Sequence, residues 1–146
     1  MQALIDSCRS EDAPAEIALV ISNELSAAGL AWAAAAGVPT KSVHHRDFPN
    51  RPAFDAAIDA ALRAAGIQLV CLAGFMRVFS PVMIEAFPNR ILNIHPSLLP
   101  AFPGINAQRQ AFEHGVKLAG VTVHLVTNEL DSGPIILQRV VPVLDT

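Results

Sequence analysis

The stretch that decides the fold is IQLVCLA at residues 67–73, which is followed by the loop GFMR at residues 74–77. A near-continuous apolar run of this length is typical of a parallel strand with both faces buried. A short helix is predicted at residues 81–87, and a second strand, RILNI, at residues 90–94. A strand, a helix and another strand in this order form the repeating unit of an open parallel sheet.

The same alternation extends in both directions along the chain. Towards the N-terminus, helices are predicted at residues 1–9, 26–36 and 51–65, and strands at residues 16–22 and 40–44. Towards the C-terminus, a helix is predicted at residues 107–114 and strands at residues 120–126 and 134–141. The last two strands have no long helix between them, which indicates an antiparallel addition. We therefore expect an α/β fold with an open, mostly parallel, Rossmann-like sheet and helices on both faces.

Length and composition narrow the class of protein. The 146 residues correspond to one domain, and 52% hydrophobic against 16% charged residues excludes disorder as the main state. A net charge of −3 without a basic block does not fit a nucleic-acid partner. No apolar run approaches the ~20 residues of a membrane helix, so no membrane partner is expected. The two cysteines, Cys8 and Cys71, are far apart in the sequence and form neither a disulfide framework nor a zinc-binding pattern. We therefore expect a protein of the reducing cytoplasm that binds no metal.

The segment NIHPSLLP at residues 93–100 carries the strongest chemical signal. Asn93 and His95 are two apart at the end of a strand, so their side chains point to the same side of the sheet. The amide can donate a hydrogen bond to a carbonyl oxygen, and the imidazole can carry a proton or, when charged, stabilise an oxyanion. Residue type and spacing alone are equally consistent with a buried histidine beside a loop-capping asparagine.

Two further segments contain polar groups beside predicted strands. Thr122 and His124 share one strand face, and Asp131 lies in the turn beyond. A carboxylate near His95 would favour the charged imidazole, although an Asx turn by itself accounts for Asp131. Arg77, among apolar residues at a strand end, suits a flat, partly charged ligand, and it equally suits a surface position over core aromatics.

Taken together, these segments resemble the folate-dependent formyltransferases, and among them the phosphoribosylglycinamide formyltransferases of purine biosynthesis. The similar segments, in family order, are MQALID (1–6), LVISN (19–23), LAGFMR (72–77), RILNIHPSLLPAFPG (90–104), QRQA (108–111) and GVTVHLVTNELDSGPII (120–136). The combination of NIHPSLLP with ELDSGP is the most specific part of this resemblance.

The resemblance implies the roles of individual residues. Asn93, His95 and Asp131 match the catalytic residues of the family. The residues implied at the site of the cosubstrate 10-formyltetrahydrofolate are Arg51, Met76, Arg77, Val78, Phe79, Asn93, Thr127 and Leu130. Pro96, Gly104 and His124 match substrate-binding or supporting positions, and no metal is implied. Asn106, Leu125 and Asn128 depart from the family pattern, which bears on the details of the folate loop.

The implied reaction transfers a formyl group from 10-formyltetrahydrofolate to the amine of glycinamide ribonucleotide. The amine attacks directly, Asn93 and His95 stabilise the oxyanion, and Asp131 supports His95. The family's first strand and its phosphate-binding loop would precede Met1, and a helix would follow Thr146. We thus expect a single formyltransferase domain over residues 1–146 that is truncated at both ends, as a monomer or homodimer.

Two alternatives remain at this point. Formyltetrahydrofolate deformylase, a hydrolase, shares the same three residues but uses water in place of the amine. A folate-binding fragment with impaired catalysis would keep the pocket and fail in turnover, because the phosphate-binding loop is not in the chain.

Overall fold

The computed structural model describes residues 1–144 and divides into two compact units, Met1–Ile67 and Gln68–Thr146. The expectation of a single formyltransferase domain stays a prediction. No helix within residues 1–144 is long and apolar enough to cross a membrane.

The first unit contains a pair of parallel strands. Its elements are α1 (Gln2–Ser7), β1 (Val20–Ser22), α2 (Ala28–Ala35), β2 (Thr40–Ser42), a 3₁₀ turn at His45–Asp47 and α3 (Arg51–Ala64). Val20 lies opposite Thr40 in the β1–β2 ladder, and α2 packs against both strands. The strand predicted at residues 16–22 is shorter, because β1 includes only the residues that pair with β2.

Helix α3 begins and packs as its sequence predicts. The Asn50 side chain accepts a hydrogen bond from the backbone N–H of Ala53 at 2.9 Å, which caps an unpaired donor of the first turn. The spacing of Phe54, Ile58 and Leu62, four apart in the sequence, predicts one apolar face of this helix, and all three are buried. The helix ends before Gly66, whose φ of +67° is a conformation that glycine adopts without the cost of a Cβ.

The second unit is built on a four-stranded sheet. Its elements are β3 (Val70–Leu72), α4 (Pro81–Ala86), β4 (Ile91–His95), α5 (Ala107–Glu113), β5 (Leu118–Leu125) and β6 (Ile135–Pro142). The strand order is β3-β4-β5-β6. β3 and β4 are parallel, whereas β4–β5 and β5–β6 are antiparallel. The predicted α/β class and the antiparallel addition at the end are confirmed.

The strand that opens the second unit differs from its prediction in length and in burial. β3 includes only Val70–Leu72 of the predicted residues 67–73. The apolar run predicted burial on both faces, and this is wrong for Leu69, Cys71 and Ala73, which are exposed. Within residues 1–144, β3 pairs only with β4, so neighbouring strand residues flank it on one side. An apolar run shows that the side chains are hydrophobic, but it does not show how many strands flank them, and burial depends on both.

We expect Asn50→Ala to lower the free energy of unfolding by about 1 kcal/mol, because the Ala53 N–H loses its partner. Asn50→Asp is the matched control, since its carboxylate keeps the acceptor and interacts favourably with the helix N-terminus. Urea denaturation measures both variants. An equal loss in the two variants would contradict the role of the cap.

Candidate active site

The site is assembled by the pairing of β4 with β5. In this antiparallel register Asn93 lies opposite His124, and His95 lies opposite Thr122. Directly opposed residues bring their Cβ atoms within about 4.5–5.5 Å, so these four polar side chains share one face. Ile94, between the two β4 residues, points the other way and is exposed. The same-side placement predicted for Asn93 and His95 is therefore observed.

His95 is held between two hydrogen-bond acceptors. Its Nε2 lies 2.9 Å from the carbonyl oxygen of Phe102, and its Nδ1 lies 3.4 Å from Oδ2 of Asp131. A carbonyl can only accept, so Nε2 is the donor in its hydrogen bond, while Nδ1 faces the carboxylate at the longer distance. His95 is almost fully buried, with only 5% of its side chain exposed, so both contacts are shielded from solvent.

Asp131 joins the turn after β5 to the histidines. Its Oδ2 accepts a hydrogen bond from the Gly104 N–H at 2.8 Å and faces His95, while its Oδ1 lies 3.7 Å from Nε2 of His124. The residue has a φ of +50°, a left-handed conformation that aspartate tolerates better than most residues. The sequence left two interpretations of Asp131 open, a residue that forms a turn and a carboxylate near His95. The structure shows both in one arrangement.

His124 orients the amide of Asn93. The Nδ1 of His124 donates to the carbonyl of Leu125 at 3.0 Å, which leaves Nε2 to accept a hydrogen bond from Nδ2 of Asn93 at 3.2 Å. A single hydrogen on the His124 ring, at Nδ1, satisfies both bonds. The second hydrogen of the Asn93 amide is available to a bound ligand.

The loop at residues 96–104 supplies a contact that the sequence reasoning missed. Phe102 acts through its main-chain carbonyl, which accepts from His95, and its φ of +53° is unusual for a bulky side chain. No side-chain pattern identifies such a residue, because the carbonyl is common to all residues. Pro96 is half-buried at the start of this loop. Gly104, which is predicted as a supporting position, lies at the end of the loop and donates its N–H to Asp131.

The residues implied at the folate site have varied surroundings. Met76, Val78 and Leu130 are exposed apolar side chains, and Thr127 is half-buried with its hydroxyl bonded to the backbone of Glu129. Phe79 is buried, and its ring stacks on Phe75 with centroids 4.7 Å apart.

The two arginines implied at the folate site stay predictions. Arg77 is half-buried in the second unit, and Arg51 is the exposed first residue of α3, in the first unit. Among residues 1–144, no group of three or more histidine, cysteine or acidic residues is arranged to hold a metal ion.

An amide, an imidazole and a carboxylate beside the end of a parallel strand are donors and acceptors suited to acyl transfer without a protein nucleophile. Residues 1–146 match the formyl transferase family, and the chain belongs to that family.

Individual relatives agree with the family match. The chain is 50% identical over 143 residues to the human trifunctional purine biosynthetic protein adenosine-3, covering 98% of this chain and 14% of the relative. It is 43% identical to the phosphoribosylglycinamide formyltransferase of Escherichia coli, covering 98% of this chain and 68% of the relative. The crystal structure of glycinamide ribonucleotide transformylase 1 from Symbiobacterium toebii has a TM-score of 0.96 at 58% identity, over 99% of this chain and 68% of that one. The chain thus spans about a seventh of the human relative and about two thirds of the bacterial ones.

Gly133 provides a test of how the turn positions Asp131. A Cβ at Gly133 would overlap the carbonyl oxygen of Leu125, so the backbone of the turn must shift to accept any side chain. We expect Gly133→Ala to lower the free energy of unfolding by about 1–3 kcal/mol, as overpacking does. The exposed neighbouring change Ser132→Ala should stay within about 0.5 kcal/mol. Chemical denaturation measures both, and similar values for the two variants would disprove the close approach.

Proposed function

We propose that this chain transfers a formyl group from 10-formyltetrahydrofolate to the amine of glycinamide ribonucleotide, a step of de novo purine biosynthesis. The observation that carries the proposal is the Asn93, His95 and Asp131 cluster, which lies within a formyl transferase fold. Two relatives that each align with 98% of this chain support the proposal: the human one is a purine biosynthetic protein, and the Escherichia coli one is a phosphoribosylglycinamide formyltransferase.

The proposed chemistry needs no covalent enzyme intermediate. The lone pair of the substrate amine forms a bond to the formyl carbon, and the carbonyl π electrons move onto oxygen. The oxyanion then collapses, the bond from carbon to N10 of the folate breaks, and N10 gains a proton as the attacking nitrogen loses one. A charged donor near the oxyanion lowers the barrier, because it stabilises charge that develops only in the transition state.

His95 supplies that donor in our proposal by exchanging one hydrogen-bond partner. Its Nε2–H is bonded to a neutral carbonyl in the ligand-free arrangement. An oxyanion is a stronger acceptor than a carbonyl, because hydrogen bonds to ionised groups are shorter and about twice as strong. Asp131 would keep the ring in place through its contact with Nδ1 during this exchange.

Ser97, the hydroxyl nearest to His95 in sequence, does not compete as a nucleophile in this scheme. It is buried and its Oγ donates to the carbonyl of Ala101, while both nitrogens of His95 face other acceptors. A serine without a general base is a weak nucleophile.

The folate would lie against the apolar side chains exposed around the turn and the loop after β3. Met76, Val78 and Leu130 together offer an apolar surface of the kind that ligand grooves expose. Arg77 would interact with a carboxylate of the ligand. We assign the reaction to the cytoplasm, and we propose only these two small molecules as partners.

One experiment separates this proposal from its alternatives. The purified chain is incubated with 10-formyltetrahydrofolate, with and without glycinamide ribonucleotide, and release of tetrahydrofolate is followed. Release that requires the ribonucleotide is the expected result. Release without it would replace the transferase by a hydrolase, and folate binding without any release would replace it by a binding fragment.

We expect His95→Ala to lower kcat about 10²–10³-fold, the usual effect of removing one oxyanion donor. His44→Ala is the matched control, since His44 contacts Asp47 within the first unit and has no part in the proposed chemistry. The control should retain activity within about twofold, because the contact that it removes, with the exposed Asp47, is not part of the proposed chemistry. A His95→Ala variant as active as the control would overturn the mechanism.

A further inference from the structure

Gln138 is an amide in the otherwise largely apolar strand β6, and it lies directly opposite Thr122 in the β5–β6 ladder. Its Nε2 donates to two acceptors, the carbonyl of Leu99 and the hydroxyl of Thr122, each at 2.9 Å. Gln138 is half-buried, so solvent competes only in part for these bonds. Gln138 therefore bonds to its ladder partner Thr122 and also, through Leu99, to the loop at residues 96–104.

The hydroxyl of Thr122 links Gln138 to the start of the loop through further hydrogen bonds. It accepts from the Leu99 N–H at 3.0 Å and from Gln138, and it donates to the carbonyl of Ser97 at 2.8 Å. One donated and two accepted bonds use the full capacity of a hydroxyl. Because both accepting positions are occupied by N–H donors, the hydroxyl hydrogen can point only to Ser97.

The far end of the same loop meets the active site. Asp131 holds the N–H of Gly104, and the side chain of Gln110 donates to the carbonyl of Pro103 at 3.2 Å. Phe102 lies between these two anchored parts of the loop. It has a left-handed conformation, and its carbonyl accepts a hydrogen bond from Nε2 of His95. The direction of that carbonyl depends on the path of the loop, because rotation of the flanking peptide would turn it away from the ring.

We infer that Gln138 is a positioning residue of this active site: by holding the first half of the loop, it fixes the carbonyl of Phe102 against His95. The inference rests on the proposed function, since it concerns the same histidine. Gln138 itself touches neither His95 nor Asp131 through any hydrogen bond of the described residues, so its effect passes through the loop.

The decisive measurement is the solvent exchange of the imidazole N–H protons, followed by ¹⁵N-edited NMR on the histidine-labelled chain. Gln138→Met keeps the length of the side chain and removes both donated bonds. We expect the His95 Nε2–H to exchange about five- to tenfold faster than in the unmodified chain, the factor that the net worth of one hydrogen bond implies. The Nδ1–H of His124, which is bonded to Leu125, should keep its exchange rate.

His124 distinguishes positioning from a merely structural role, because general loosening of the unit would accelerate both imidazoles. Gln108→Met makes the same chemical change at an exposed position of α5 and should alter neither proton. An unchanged His95 in Gln138→Met, or equal acceleration of His95 and His124, would overturn the inference. If Gln138→Met does not fold, Gln138→Asn, whose shorter amide cannot span both acceptors, is judged by the same criteria.

The activity assay adds an independent result. In a chain that transfers the formyl group, Gln138→Met should lower kcat and leave KM for 10-formyltetrahydrofolate unchanged. A chain with no transferase activity would end the proposed function, yet the NMR comparison would still decide whether Gln138 positions His95.

Discussion

The contact between the Asp131 carboxylate and the imidazole of His95 is the interaction on which the rest of the site depends. Both side chains are more than nine-tenths buried, and a buried charge that loses its partner costs about 3–5 kcal/mol. The surrounding structure therefore serves to keep the two together. The Gly104 N–H binds the carboxylate, the Phe102 carbonyl binds the imidazole, and the turn that carries Asp131 needs a glycine at position 133.

The polar groups of the site form a connected hydrogen-bonded set. His124 directs the amide of Asn93, and Thr122 and Gln138 direct the loop that ends at Phe102. Such networks in a low-dielectric interior are worth more than isolated bonds, and they are costly when incomplete. The catalytic geometry we propose thus depends on strands β5 and β6 as much as on β4, which carries the two motif residues.

How far the sequence predicts this arrangement depends on the kind of signal. Apolar periodicity located the helices and strands, and the spacing of two placed Asn93 and His95 on one face, because side chains alternate along a strand. The same reasoning could not find Phe102, which acts through a backbone carbonyl, or the register that sets Gln138 opposite Thr122. It also predicted burial for Cys71, since an apolar run does not state how many strands flank it.

The antiparallel pairing of β4 with β5 has a consequence for how this site can change during evolution. The ladder places Asn93 opposite His124 whatever the length of the chain between the strands, so insertions around α5 leave that pair in place. A single residue inserted within either strand would instead turn every following side chain to the other face. After an insertion in β4 ahead of Asn93, Ile94 would take the face that Asn93 and His95 now occupy, and the pairing of Asn93 with His124 would be lost.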